Sequence, residues 1–109
     1  MNWLWSIYTK MYYKSRSEGE VIKILNSLID RTISDEDFDD FISVKCIEPE
    51  LEKVRIRLEE LWVEGSPYYI DKSIDPRDLN QKGILEIKGL IKQIEKSSDF
   101  IDLAKNGKK

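Results

Sequence analysis

The chain of 109 residues contains no histidine and a single cysteine, Cys46. Without histidine it has no Ser–His or Cys–His nucleophile pair, no HExxH metal-binding helix and no Cys/His zinc cluster. One cysteine cannot form an internal disulfide, which fits a reducing cytosol, and we expect Cys46 to be a small buried side chain rather than a reactive thiol. Most of the common enzymatic and metal-binding chemistries are therefore excluded.

Glycine is also scarce, and its five copies are scattered singly, so no glycine-rich phosphate loop is present. Carboxylate-only catalysis or magnesium binding is the chemistry left open. It needs acids that converge in a cleft, whereas the acids here occupy consecutive positions of a predicted exposed helix. We therefore predict that the chain is not an enzyme and that it binds neither a cofactor nor a metal.

What the chain has in abundance is negative charge in its middle. Residues 34–52 contain eight carboxylates and one lysine, a local charge of −7 in a chain of net charge −3, so the remainder carries +4. Such asymmetry indicates a surface that meets a basic partner, not a surface that binds nucleic acid directly. An acidic helical face is suited to a cationic groove that normally accepts nucleic acid.

Hydrophobic periodicity predicts an all-α, four-helix bundle-like single domain with an additional N-terminal helical segment. Ser17 and Ser34 have the spacing of helix N-caps, and Pro49 is suited to the first turn of a third helix. The fourth predicted helix begins near Asn80. We assign an aromatic N-terminal segment to residues 1–16, the helical domain to 17–105 and a frayed tail to 106–109, with a docking turn at Phe100, Ile101 and Leu103.

Residues 1–16 hold two of the three tryptophans and three tyrosines. As a helix this segment would place Trp3, Leu4, Ile7, Tyr8 and Met11 on one side. It lacks the order of charges and the cleavage site of a signal peptide, and it is too short to span a bilayer. We favour a helix docked on the core over contact with a membrane surface, since a membrane-surface helix normally has a more basic polar face than Lys10, Lys14 and Arg16 provide.

Four features in order suggest a family: Leu-Ile-Asp-Arg-Thr-Ile-Ser at 28–34, an acidic element through Asp37-Phe38 to Ile42, a charged helix ending in Leu61-Trp62, and Asp-Leu-Asn-Gln-Lys-Gly-Ile at 78–84 before a lysine-rich helix. Over residues 20–96 this order resembles the colicin D immunity-like proteins and their relatives in contact-dependent inhibition, which are small helical bacterial antitoxins. The resemblance implies a bacterial cytoplasmic protein. It also implies inhibition of a tRNA-cleaving toxin by acids that replace substrate phosphates in its cationic cleft.

We predict the contact residues from charge and from the amphipathic character of tyrosine. They are Asp35, Glu36, Asp37, Asp39, Asp40, Glu48, Glu50, Glu52, Tyr68 and Tyr69. Phe41 and Trp62 are further candidate anchors if exposed. We expect lysine at both 39 and 40 to slow association with a cognate basic toxin nuclease while leaving folding nearly intact. The alternative is a helical adaptor or regulatory domain with an apolar groove, or a membrane-associated protein that uses residues 1–16.

Overall fold

The computed structural model describes residues 13–106, with side chains described up to Ser97. This part of the chain is mostly helical, as predicted. The elements in order are β1 (Tyr13–Lys14), α1 (Glu18–Ile29), α2 (Asp35–Ser43), β2 (Lys45–Cys46), α3 (Pro49–Leu61), a 3₁₀ turn (Ile70–Lys72) and α4 (Gln81–Asn106). Within the described residues, no helix is long and apolar enough to cross a membrane.

Two short parallel strands were not predicted. Tyr13 pairs with Lys45 and Lys14 with Cys46, and the Ile47 amide donates to the Lys14 carbonyl at 3.1 Å. Two-residue strands are too short to show an alternating pattern in the sequence. The prediction of a helix over 1–16 is therefore wrong at residues 13–16, and its remaining part, residues 1–12, lies outside the described residues.

The helix starts follow the predicted capping residues. The Ser17 hydroxyl accepts from the Glu20 amide and the Ser34 hydroxyl accepts from the Asp37 amide, each at 3.0 Å. α3 begins at Pro49 without a side-chain cap. Because α2 begins directly after Ser34, its five acids lie in its first turn and just after it.

The core is one continuous cluster of buried apolar side chains, contributed by all four helices. α1 and α3 pack on α4, and α2 packs on α3. The fully buried members include Val21, Leu25, Phe41, Leu58 and Ile87. Burial of each large apolar side chain contributes about 1.5–3 kcal/mol to folding, so this cluster supplies the main stabilisation of the domain.

Most predicted inward positions are correct, including Phe38, Phe41 and Ile42 of α2. Leu85 is an exception, because 66% of it is exposed although its helix is amphipathic. α4 also continues to Asn106 rather than giving way to a separate turn near Ser97. The side chains of the predicted docking turn (Phe100, Ile101 and Leu103) and residues 107–109 of the predicted tail lie outside the described part.

The long connection between α3 and α4 is ordered by hydrogen bonds, as predicted. The Trp62 indole donates to the Ile74 carbonyl at 2.7 Å, and the Asn80 side-chain amide donates to the Pro67 carbonyl at 2.8 Å. Gly83 at the start of α4 lies directly under the Tyr68 carbonyl, where a Cβ atom would clash. This connection brings Pro76 and Arg77 against the acidic helix α2.

Candidate acidic and aromatic binding surface

The five acids of α2 all lie on its exposed side, because Phe38, Phe41 and Ile42 occupy the side that faces the core. The predicted exposure of Asp35, Glu36, Asp37, Asp39 and Asp40 is confirmed. Their partners differ, however, and these partners divide the five acids into two groups.

Asp40 is bound to cations from the segment that precedes α1. Arg16 Nη2 lies 2.8 Å and Lys14 Nζ lies 3.5 Å from the Asp40 carboxylate, while Arg16 Nη1 binds Glu20 at 2.5 Å. Only 2% of the Arg16 side chain is exposed. The hydrogen bond from Arg16 holds the pKa of Asp40 below its usual value. Asp40 therefore serves the fold, in which it binds both Lys14 and Arg16.

Asp35, at the other end of the acidic row, is bound by Arg77 at 2.6 Å. Arg77 is itself positioned by Asp75, at 3.0 Å, and by the Ile33 carbonyl, at 3.0 Å. The Arg77 hydrogen bond lowers the pKa of Asp75. The loop before α4 thus attaches to the start of α2 through one guanidinium.

The three acids between Asp35 and Asp40 have no neutralising cation among the described residues. Glu36, Asp37 and Asp39 make no ion pair with any residue that the structure describes, and Asp39 accepts a single 3.3 Å hydrogen bond from the Ser43 hydroxyl. Like charges three or four residues apart on a helix repel one another by a few tenths of a kcal/mol. These three carboxylates are consequently available for an external cation.

The acids before and in the first turn of α3 have partners of their own. Glu48 accepts from the Ser15 hydroxyl at 2.5 Å and from the Arg16 amide at 3.0 Å, and the Ser15 bond is the main cause of its lowered pKa. Glu50 pairs with Lys53 on the surface at 3.3 Å. The Glu48 carboxylate is therefore occupied within the fold, and its place in the acidic surface stays a prediction.

Glu52 is more deeply engaged than its neighbours. It forms two hydrogen bonds with the buried Arg55, at 2.8 and 2.7 Å, and it accepts from the Cys46 amide at 2.8 Å. Desolvation alone would raise the pKa of Glu52, but these bonds lower it below the usual value. Arg55 also donates to the Ile42 carbonyl at the end of α2. Glu52 is thus engaged within the fold, and its role as a contact residue stays a prediction.

The two predicted tyrosines lie in different environments. Tyr69 is only 4% exposed, and burial raises the pKa of its hydroxyl to about 12. Tyr69 attaches the loop to the core and is not accessible to a partner. The candidate anchor Phe41, in α2, is fully buried as well. Tyr68 is half-buried beside two cations, with Lys82 Nζ 5.1 Å and Arg57 6.0 Å from its ring centre. Tyr68 therefore lies beside basic side chains rather than beside the acids of α2.

An aromatic cleft adjoins the unpaired acids. The Trp62 ring meets the Phe38 ring edge to face, with centres 4.8 Å apart and an angle of 83°. With Pro76 these rings line a cleft of about 380 Å³, together with Asp35, Glu36 and Asp39. We call this the acidic–aromatic cleft. Trp62 was a candidate anchor from sequence, but Pro76 was not, because its position depends on how the loop folds.

The described residues contain no group of three or more metal-ligating side chains able to hold an ion. Of the unpaired acids, Glu36 and Asp39 border the acidic–aromatic cleft, and Asp37 does not. What the surface can do is attract a cation and hold an apolar or planar group beside it. The fold and this surface define a small, mostly helical protein with an acidic face beside an aromatic cleft.

Comparison with known proteins adds no family to this description. No family model matches the chain, and neither a curated protein nor a solved structure does so.

Proposed function

We propose that this chain is an immunity protein, an antitoxin that binds and blocks a bacterial nuclease toxin, most readily a tRNase, in the cytoplasm. The observation that carries the proposal is the row of unpaired carboxylates at Glu36, Asp37 and Asp39. The resemblance to colicin D immunity-like proteins supports it. In this proposal the helices act as a bundle-like support, and the acids of α2 take the place of nucleic-acid phosphates.

The arrangement around these acids is suited to that task. Arg16 and Arg77 each bind one end of the acidic row, so α2 is held before any partner arrives. A held surface loses little conformational freedom on binding. Carboxylates clustered on it would also speed encounter with a cationic cleft, an effect that weakens as salt screens the charges.

The test begins with capture of partners from bacterial lysate on the tagged chain, followed by release across a salt series. We expect a basic protein that cleaves tRNA once separated, and whose activity is lost again when the chain is added back at equal concentration. Glu36→Lys with Asp39→Lys should slow association at least tenfold at low salt. A control of equal charge is Glu60→Lys with Glu95→Lys, at exposed positions of α3 and α4. Glu60 pairs with Arg57 at 3.4 Å, so this control also breaks one surface ion pair.

The structure also corrects the charge reversal suggested by sequence. Lysine at position 40 would face the buried guanidinium of Arg16, so lysines at 39 and 40 would not leave folding nearly intact. Glu36 and Asp39 avoid this difficulty. The proposal fails if the captured partner is no nuclease, or if the Glu36/Asp39 variant binds as fast as the control.

A helical adaptor is the second candidate, and one observation favours it. A cleft of about 400 Å³ lies between the starts of α1 and α3 and the side of α4, and Pro49, Leu51 and Ile94 contribute to its largely apolar lining. An adaptor that used this cleft would retain its partner at high salt, since burial of apolar surface is not screened. The same salt series therefore separates the two functions.

A further inference from the structure

The acidic–aromatic cleft has fixed walls. The Trp62 indole N–H is bound to the Ile74 carbonyl at 2.7 Å, and its ring rests against the buried Phe38. Pro76, which is buried, forms another wall. The cleft is an open surface depression of about 380 Å³. A side chain that enters would meet an apolar surface that is already in place.

The charge of the cleft is negative although one of its three acids is neutralised. Arg77 pairs with Asp35 at 2.6 Å, whereas Glu36 and Asp39 have no ion-pair partner among the described residues. These two are three residues apart, so their Cβ atoms lie about 5–6 Å from each other on the helix. Two neighbouring carboxylates beside an aromatic wall are complementary to a cation with a flat apolar face.

Among protein side chains, arginine fits this description best. Its guanidinium is planar and weakly hydrated, it stacks on aromatic rings, and it can donate to two carboxylate oxygens at once. Lysine carries the same charge on a compact and strongly hydrated ammonium group, which gains less from the indole. The neighbouring Arg77–Asp35 pair shows that a guanidinium is accommodated at the edge of this cleft.

We propose that the acidic–aromatic cleft binds an arginine side chain of a protein partner, with the guanidinium against Trp62 and between Glu36 and Asp39. The proposal rests on the proposed function in that the partner is the basic toxin domain. It adds a specific anchor to a surface otherwise described by charge alone, since buried arginine and aromatic contacts commonly dominate binding free energy.

The experiment is an NMR titration of the full chain with N-acetyl-arginine methylamide. The signal is the Trp62 indole N–H, which is assigned by its loss in Trp62→Phe. Two further probes separate charge from shape: the lysine analogue keeps the charge, and the citrulline analogue keeps the shape without it. We expect saturable shifts with arginine, a dissociation constant at least fivefold lower than for lysine, and no saturable shift with citrulline.

Two double variants locate the binding. Glu36→Gln with Asp39→Asn should weaken arginine binding at least fivefold, whereas Glu60→Gln with Glu95→Gln should leave it unchanged. Equal affinities for the arginine and lysine probes, or unaltered binding by the first variant, would overturn the proposal. Thermal melts of both variants establish that each is folded.

This result is independent of the nuclease assay. Salt-sensitive inhibition of a tRNase without arginine-probe binding would remove the arginine anchor and leave the antitoxin function standing. Binding of the arginine probe without a nuclease partner would instead remove the antitoxin function and leave the arginine-binding cleft.

Discussion

Glu36 and Asp39 of α2 resemble Glu48 and Glu52 near the start of α3 in the sequence, but the two pairs of acids differ in what they bind. Glu48 and Glu52 accept hydrogen bonds from Ser15, Arg55 and backbone amides, so their charges are used inside the fold. Glu36 and Asp39, in contrast, have no ion-pair partner among the described residues. The comparison shows that clustered negative charge becomes a candidate binding surface only where the fold leaves it uncompensated.

The largest expected effect on stability comes from a substitution at an acid whose charge is paired inside the fold. Glu52→Gln removes one of the two charges that pair with buried Arg55, and Glu59, at 3.2 Å, remains. We expect the variant to lower the free energy of unfolding by about 2 kcal/mol. Glu50→Gln, on the same helix, should change it by less than about 0.5 kcal/mol, because the Glu50–Lys53 pair is exposed. Urea denaturation measures both, and equal losses in the two variants would contradict the assignment of Glu52.

Asp40 should show an intermediate effect with a defined pH dependence. Its folded-state pKa is lowered by Arg16, so its contribution is fully present above about pH 4, the pKa of an unfolded aspartate, and is lost as pH falls through the folded value. Asp40→Asn should cost about 1 kcal/mol at pH 7, after allowance for the half-exposed carboxylate. The unfolding free energies of parent and variant should converge as the pH is lowered below 4. A constant difference would mean that Asp40 acts through its shape and not its charge.

The smallest effect on stability is expected in the uncompensated region. Glu36→Gln with Asp39→Asn should change the free energy of unfolding by no more than about 0.5 kcal/mol. The loss of a favourable first-turn charge at Glu36 is opposed by relief of repulsion along the row. Urea denaturation at low salt provides the measurement. A loss above 1 kcal/mol would show that these acids also serve the fold, which would remove the distinction between the two regions.

Local patterns were sufficient to predict most of the fold. The caps at Ser17 and Ser34 and the buried positions of α2 and α3 follow from spacings of three and four residues. The β1–β2 pairing could not be predicted, since it joins two-residue strands that lie some thirty residues apart. Long-range pairing of this kind leaves no periodic signal in the chain.

The candidate site was less predictable, because it depends on which acids are neutralised. Arg16 reaches Asp40 across 24 positions, and Arg77 reaches Asp35 across 42. Charge counting treats all five acids of α2 alike and cannot detect these contacts. The pairing of Glu52 with Arg55 is local, since the two residues are three apart on α3, and helical spacing could have identified it. For Tyr68 and Tyr69, the sequence could not decide which ring would be buried.

The attachment of α2 at both ends limits how its surface can be copied. The helix has nine residues, and isolated helices shorter than about 12–15 residues are only marginally stable in water. Arg16 and Arg77 belong to segments outside it, so an excised peptide of residues 34–43 would carry the carboxylates without the two guanidinium groups that hold them in place. A mimetic would need a covalent staple, or an acceptor scaffold with equivalent cations, to reproduce this acidic face.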